Sequence, residues 1–418
     1  MNRTVIFCFT LTTLALISPL SIRAQVTMQE FLRSVKTDYE VSSYEAQISY
    51  LDAKTYRLSP LQKLEFRTRS NQLDPDRQDY GIRFTPANPW EIRSNNHYFQ
   101  QYRSVLSFER DLALKEALIM RYSLIIDLLY LREIKALKEE AQRLVSVQIS
   151  IMEKQRQSDF FNAEDYVELK LDQMDRSVEF EEANFDLLNQ FRKIEGAYPA
   201  ASGQTVDWKY DQILTVDHVG YVIDSLYGLQ LTPVSLKYRE SMIDLANQEY
   251  KLEKSNINVG FVQAQYEHYR VEQDRKPWNV SLGVTIPITN PNKGDMTKRK
   301  LEAIEAEHER DETKAEIKTL TIAAREQLKS LIVRYQDIKQ KIHALNAGTL
   351  SSTLNAIRDE NPMATIRFNE NVLKLKAIEV KLRQSILTTY IEFLGHTDTI
   401  QQTPLINFLS PRLESIGI

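Results

Sequence analysis

Residues 278–291 read Trp-Asn-Val-Ser-Leu-Gly-Val-Thr-Ile-Pro-Ile-Thr-Asn-Pro. Trp278, Val280, Leu282, Val284, Ile286 and Ile288 alternate with Asn279, Ser281, Gly283, Thr285 and Pro287. A period of two predicts a strand with one wholly apolar face and one small or polar face. A long, charged helical pattern follows at once. The same order occurs earlier, where Tyr80-Gly-Ile-Arg-Phe-Thr-Pro-Ala-Asn-Pro89 also runs into a long helix. Gly81, Ile82, Phe84, Asn88 and Pro89 stand 202 positions before Gly283, Val284, Ile286, Asn290 and Pro291. The chain reads as a duplication with these strands as its fixed points.

Only 11 Gly and 13 Pro punctuate 418 residues, so long uninterrupted elements are expected. Hydrophobic residues at 42% and charged residues at 26% place the chain among folded proteins. A net charge of -4, with no Lys/Arg block to reverse it, argues against a nucleic-acid partner. Met1 to Ala24 has the form of a secretory signal, with a retained membrane anchor as the alternative: Arg3 supplies the positive start, Val5 to Leu20 is apolar and uncharged, and Ile22-Arg-Ala24 offers a small-residue cleavage site. Cys8, the only cysteine, lies inside it, so the expected mature chain has no thiol for a disulfide, a metal or a lipid anchor. No other window approaches the roughly 18 uncharged apolar residues of a membrane helix. An exported chain of this kind can span a membrane only with strands.

Each half follows one plan. Residues 25–198 form the first structural repeat. Thr27-Met-Gln-Glu30 has the spacing of a capping box and opens a helix to about Tyr56, with Phe31, Val35, Tyr39 and Val41 on its apolar side. Leu64, Phe66 and Thr68 then alternate with Glu65, Arg67 and Arg69, and the Asp74-Pro75-Asp76 turn leads into the strand at Tyr80 to Thr85. From about Asn95 to Arg156 no Gly or Pro intervenes, and Leu118, Tyr122, Ile126, Tyr130, Ile134, Leu137, Ala141 and Leu144 recur by threes and fours. Such a helix would be ~90 Å long, the length of a coiled-coil-like rod. A reversal at Gln157 to Asn162 returns the chain along a second helix from Ala163 to about Ile194.

Residues 199–231 read as a connection, and residues 232–396 as the second repeat. Thr232 and Pro233 suit the cap and first position of a helix to about Lys254. Ile257 to Tyr269 is a strand candidate whose alternation blurs after Phe261. After the Trp278 strand a helix from about Asp295 to Leu345 carries an apolar seam from Ile317 to Leu345, a reversal covers Gly348 to Pro362, and a return helix ends at Gly395. Residues 397–418, the C-terminal tail, carry no clear pattern.

The fold class expected is mostly α with a small β part. Four strands per chain cannot close a barrel, for which about eight is the practical minimum. The reading is a transmembrane barrel shared among protomers. Its lipid-facing candidates are Leu64, Phe66, Ile82, Phe84, Val280, Leu282, Val284 and Ile286, and its lumen-facing candidates are Glu65, Arg67, Arg69, Arg83, Asn279 and Thr285. The alternative on pattern alone is a small sandwich in water with helical arms.

These residues carry a resemblance to TolC-type outer-membrane efflux proteins over nearly all of the expected mature chain. Val284-Thr-Ile-Pro-Ile288 before a charged helix resembles that family's second-half strand ending in Ile-Pro-Leu. Phe393-Leu-Gly395 resembles the Leu-x-Gly closing its last helix, Phe191 to Gly196 the equivalent point in the first half, and Asp165-Tyr-Val-Glu-Leu169 its Asp-Val-Leu segment. The resemblance implies duplicated long-helix hairpins forming a trimeric α-barrel, with a shared 12-stranded β-barrel in outer-membrane lipid. It implies as partners a periplasmic adaptor protein and an inner-membrane pump, with efflux or type I secretion as the function. The chain departs from the family at Asn256-Ile-Asn258, where Pro usually opens the third strand, and at Gln157, where Gly often precedes the reversal.

Nothing reads as an enzyme. His308-Glu-Arg-Asp-Glu312 begins like a zinc-protease helix but has Glu in place of the second His, and the six histidines never fall at i, i+3 or i, i+4. No phosphate loop or nucleophile elbow occurs, and no cofactor or metal is expected. The two reversals would meet at the periplasmic mouth of a tube, which makes Asp159, Asp165, Asp359, Glu360 and Asn361 the gate candidates; a ring of acids there could hold the mouth closed or favour cations. The competing reading of these residues is polar side chains at exposed turns. The rival function is an exported structural or adhesive coiled coil that transports nothing.

Overall fold

The computed structural model describes residues 25–70, 78–157, 161–227, 232–267, 277–286, 288–347 and 362–417. Two elements dominate because nothing in their sequence stops them. Helix α3, Pro89–Lys154, runs 66 residues and therefore ~99 Å. Asn88 caps it, its Oδ1 accepting from the Trp90 N–H, and Pro89 occupies the first turn, where no N–H is required. The second long helix, Lys293–Ala347, spans 55 residues. Their partners are α4, Ala163–Ala197, which returns along α3, and a 35-residue helix Pro362–His396 that packs on both long helices. In chain order the helices are α1 Met28–Arg33, α2 Tyr39–Asp52, α3, α4, α5 Val216–Tyr227, α6 Val234–Ser255, α7 (Lys293–Ala347) and α8 (Pro362–His396).

The strands β1 Leu61–Ser70, β2 Gln78–Pro86, β3 Gly260–Glu267 and β4 Trp278–Val284 form one antiparallel sheet in the order β1-β2-β3-β4. The two hairpins of the duplicated halves thus lie side by side, joined through β2 and β3. Strand β4 ends at Val284, so the alternation through Ile288 outlasts the ladder. Thr285 and Ile286 lie just past its end, with the Thr285 N–H donating to Val259 O at 3.3 Å.

The main core sits far from the sheet. Leu118, Tyr122, Ile125, Ile126, Leu128 and Leu129 of α3 pack against Ile386, Tyr390, Phe393 and Leu394 of α8, with Trp208 and α1 on the other side. Five differences from the sequence reading arise here. The first helix is broken: the Thr27–Glu30 capping box forms as expected, but a 3-10 turn at Ser34–Thr37 separates α1 from α2. Arg121, fully buried, supplies the reason. It donates to Ser34 Oγ at 3.2 Å and to Asp38 Oδ2 at 3.1 Å, and Asp38 then caps α2. Tyr39 faces outward rather than joining the apolar side.

The connection at 199–231 contains helix α5, whose Val216, Val219, Val222 and Ile223 are buried. Helix α6 starts at Val234 after Pro233, and Thr232 does not cap it. Its donor is satisfied by the tail: the Ser235 N–H and Oγ both donate to Asp398 Oδ2, at 2.7 and 2.6 Å. The tail is therefore built into the core. Asp398 is 1% exposed and also pairs with Lys115 Nζ at 3.1 Å. Tyr122 Oη donates to Ile406 O and accepts from the Phe408 N–H, and Arg33 donates to Ile416 O.

Candidate functional site: a one-faced sheet on a helical rod

The register settles which residues share a face. Leu64 opposes Phe84, which opposes Val262, which opposes Leu282; Phe66, Ile82, Ala264 and Val280 form the next row. Thr68, Tyr80, Tyr266 and Trp278 form a third row at the turn end. One face is thus apolar across all four strands, and its side chains are exposed in the single chain, Leu282 to 76% and Phe66 to 69%. Tyr266 and Trp278 pack with ring centroids 5.1 Å apart, and Phe66 stacks on Tyr80 at 6.3 Å, so the turn end is edged with aromatics. Seven of the eight lipid-facing candidates (Leu64, Phe66, Ile82, Phe84, Val280, Leu282, Val284) lie on this face. Ile286 is exposed but stands beyond the strand.

The opposite face is polar. Its rows are Lys63 with Thr85; Glu65 with Arg83, Gln263 and Ser281; Arg67 with Gly81, Gln265 and Asn279; and Arg69 with Asp79 and Glu267. Glu65 is held between Lys63 and Arg67, the latter at 2.9 Å. Gln265 Nε2 donates to Asp79 Oδ2 at 3.4 Å. Of the lumen-facing candidates, Glu65, Arg67, Arg69, Arg83 and Asn279 share this face, and Thr285 lies past the strand end. Phe261 also lies here, opposite Gly283, with the Arg83 guanidinium 3.5 Å above its ring centre. A Cβ on Gly283 would come 2.3 Å from that ring, so the bare backbone of Gly283 is what lets Phe261 lie across β4. Phe261 next to Val262 is also why the alternation of β3 blurs: two adjacent large apolar side chains face opposite sides.

Asparagines hold the sheet to the rod. Asn88 Nδ2 donates to Ser255 O at 2.7 Å and Ile257 O at 3.2 Å, tying the start of α3 to the end of α6. In the second half Asn292 Nδ2 donates to Glu253 O at 3.1 Å and Asn256 O at 2.7 Å. The Asn256-Ile-Asn258 departure is accommodated: Asn256 terminates α6, and Asn258 Oδ1 accepts from the Gly260 N–H at 2.8 Å, turning helix into strand without proline.

At the other end of the rod, Asp165 lies exposed in the first turn of α4, a position that favours a carboxylate because the free N–H groups are there. Asp159, Asp359, Glu360 and Asn361 fall outside the described residues. Helix α4 exposes a heptad seam that the sequence reading missed. Val167, Leu171, Met174, Val178, Phe185 and Leu188 are all at least half exposed, at spacings of three, four and seven. Among the described residues, no helix is long and apolar enough to cross a membrane, and no group of three His, Cys, Asp or Glu side chains is placed to hold a metal.

Comparison of the sequence with protein-family models and with curated proteins gives no match. The fold does match solved structures. CusC, whose crystal structures concern folding and transmembrane channel formation, aligns with a TM-score of 0.66 over 88% of this chain and 91% of that one, at 10% identity. The outer membrane protein VceC from Vibrio cholerae aligns at 0.64 over 89% and 96%, also at 10% identity. The open state of the Neisseria gonorrhoeae MtrE outer membrane channel aligns at 0.60 over 89% and 88%, at 12% identity. The chain has the fold that its resemblance to TolC-type proteins implies, along nearly its whole length.

Proposed function

We propose that this protein is the outer-membrane exit duct of a tripartite efflux or type I secretion system. In this reading it is a homotrimer whose twelve strands close one barrel in outer-membrane lipid and whose helices extend into the periplasm, where an adaptor protein and an inner-membrane pump deliver substrate. The observation that carries the reading is the sheet. An exposed, continuous apolar face backed by a polar one is what a barrel wall between hydrocarbon and water requires. The outer edges of β1 and β4 face no further strand among the described residues, and neighbouring copies would satisfy both by continuing the ladder. The aromatic row at the turn end suits the membrane–water interface. The unburied seam of α4 supports packing against another chain along the rod. Asp165, with Asp159, Asp359, Glu360 and Asn361 of the adjoining reversals, is assigned to the periplasmic mouth on the sequence reading. The protein acts by providing a path, and no reaction is assigned to it.

Mass measurement in mild detergent and recording in a planar bilayer test the proposal together. A trimer producing stepwise conductance is expected. A stable monomer that partitions into buffer and produces no steps would refute it and favour the structural coiled coil.

A further inference from the structure

We propose that the polar face of the sheet carries an anion-binding ring centred on Arg83, and that the duct favours anionic solutes as they cross the membrane. The inference rests on the channel reading, which turns this face toward the lumen.

Three features of the face point to it. The first is charge. In the three rows away from the turns, Lys63, Arg67 and Arg83 stand against a single carboxylate, Glu65. Each chain contributes a net two positive charges and a trimer six. The row nearest the turns, Arg69 with Asp79 and Glu267, carries one net negative charge per chain. The second feature is how the cations are held. Glu65 is occupied by Lys63 and Arg67. Arg83 sits opposite Glu65 in the ladder but makes no ion pair with it, and among the described residues its Nε is buried with no acceptor. A guanidinium that forms no ion pair among the described residues is an anion receptor, because its terminal N–H groups can pair with a carboxylate, sulfonate or phosphate.

The third feature is the platform. The Arg83 guanidinium sits over the ring of Phe261, the one large apolar side chain on the polar face among the described strand residues, and cation–π attraction holds it there without using its N–H groups. Phe261 can take that place only because β4 has glycine opposite it. Gly260 just before it has φ +129°, and a Cβ there would come 2.0 Å from Gly283 O, so two glycines shape the seat of one ring. A charge that merely lined a wet wall would need none of this construction. Repeated by three-fold symmetry, the Arg83–Phe261 pair forms a ring at one level of the lumen.

The test is the zero-current potential of the full-length protein in a planar bilayer under a KCl gradient, taken in dilute salt. The Debye length is then about 30 Å, against about 3 Å at 1 M, so the ring acts across the pore only at low ionic strength. Wild type is compared with Arg83→Glu, which cancels the positive charge of the inner rows, and with Arg83→Gln, which removes half of it. Relative to wild type, the potential should shift toward cation preference, further for Arg83→Glu than for Arg83→Gln. Arg83→Lys, which keeps the charge but loses the planar fork and its seat on Phe261, should fall between wild type and Arg83→Gln. If Arg83→Glu does not assemble, the Gln and Lys variants carry the same comparison. Step conductance with the same potential in wild type and the Arg83→Gln and Arg83→Glu variants would overturn the anion ring and leave the channel standing. Absence of step conductance from wild type would overturn the channel reading and this inference with it.

Discussion

The facing of the strands is tested most sharply by placing one charge on either side of a single strand. Leu282 and Ser281 are neighbours in β4 and lie at nearly the same depth, yet their side chains belong to opposite faces. Leu282 is four residues from Trp278, the aromatic at the turn end. At ~3.4 Å per residue that is ~13 Å along the strand, or ~10 Å along the membrane normal for a tilt of ~40°. An apolar band is ~25 Å tall, so Leu282 falls within a few ångströms of its midplane. Arginine at that depth costs about 2–4 kcal/mol on the lipid face. At 1.4 kcal/mol per decade this is roughly 30- to 700-fold in the assembly equilibrium of each protomer. Ser281→Arg adds the same side chain to a row that already holds Glu65, Arg83 and Gln263, where water solvates it, and should cost little. Heat-modifiable migration of the outer-membrane fraction, followed by urea titration in vesicles, reads both. Equal loss of assembly in the two variants, or a greater loss for Ser281→Arg, would refute the assigned facing.

Three further outcomes are expected. Asp398→Ala removes the acceptor of the Ser235 N–H and Oγ and leaves Lys115, whose side chain is 16% exposed, without its carboxylate; the loss should be about 3–5 kcal/mol by urea unfolding, and Asp398→Asn, which keeps an acceptor for Ser235, should lose less. Unchanged stability of Asp398→Ala would show that the tail is not the anchor proposed. Replacing Leu171 and Met174 of the α4 seam by Glu should lower the trimer fraction in mild detergent while circular dichroism stays constant, and a full trimer would exclude that seam from the interface. Burial raises the Glu109 carboxyl above its ordinary value of 4.5, against a Tyr238 hydroxyl that donates to it at 3.3 Å and lowers it. Between 4.5 and the raised value the folded chain holds a proton that the unfolded chain has released, so this group's contribution is fully present below 4.5 and is lost as pH rises through the raised value. Glu109→Gln should therefore gain stability over wild type on going from acid to neutral pH, measured by urea midpoints, and the opposite trend would contradict the burial argument.

The parts of the fold that were legible in the sequence are those whose signal is local and periodic. Period two identified the strands and sorted Leu64 from Glu65 and Val280 from Asn279; threes and fours identified α3 and α7. What escaped depends on partners distant in the chain. The break between α1 and α2 is fixed by Arg121, more than eighty residues from Ser34 and Asp38. Asp398 closes the start of α6 from a tail with no pattern of its own, and the alternation beyond Val284 gives no sign that its ladder partner β3 has ended. Helix α5 is a different case: Val216, Val219, Val222 and Ile223 do carry helical spacing, within a segment whose Pro and Gly read as a loop. For the site, the two faces were legible but the platform was not, because Phe261 disturbs the alternation it serves.

The duplication explains why both halves look alike and where they stop being alike. Each half must turn a strand into a long helix, and each does so with asparagine and proline, at Asn88-Pro89 and at Asn290-Pro291. Gly81 and Gly283 are equivalent by the same offset, and folding alone would give them equal tolerance. Their surroundings differ. A Cβ on Gly81 would meet Ala264 O at 3.5 Å and Gln263 Nε2 at 3.7 Å, ordinary contact distances, whereas on Gly283 it would strike Phe261. Gly81→Ala should therefore assemble and conduct as wild type does. Gly283→Ala should push the Phe261 ring off β4, release Arg83 from its seat and shift the zero-current potential toward that of Arg83→Gln, with assembly retained. Equal behaviour of the two glycine variants would mean that the second strand pair has no construction beyond what the fold demands of the first.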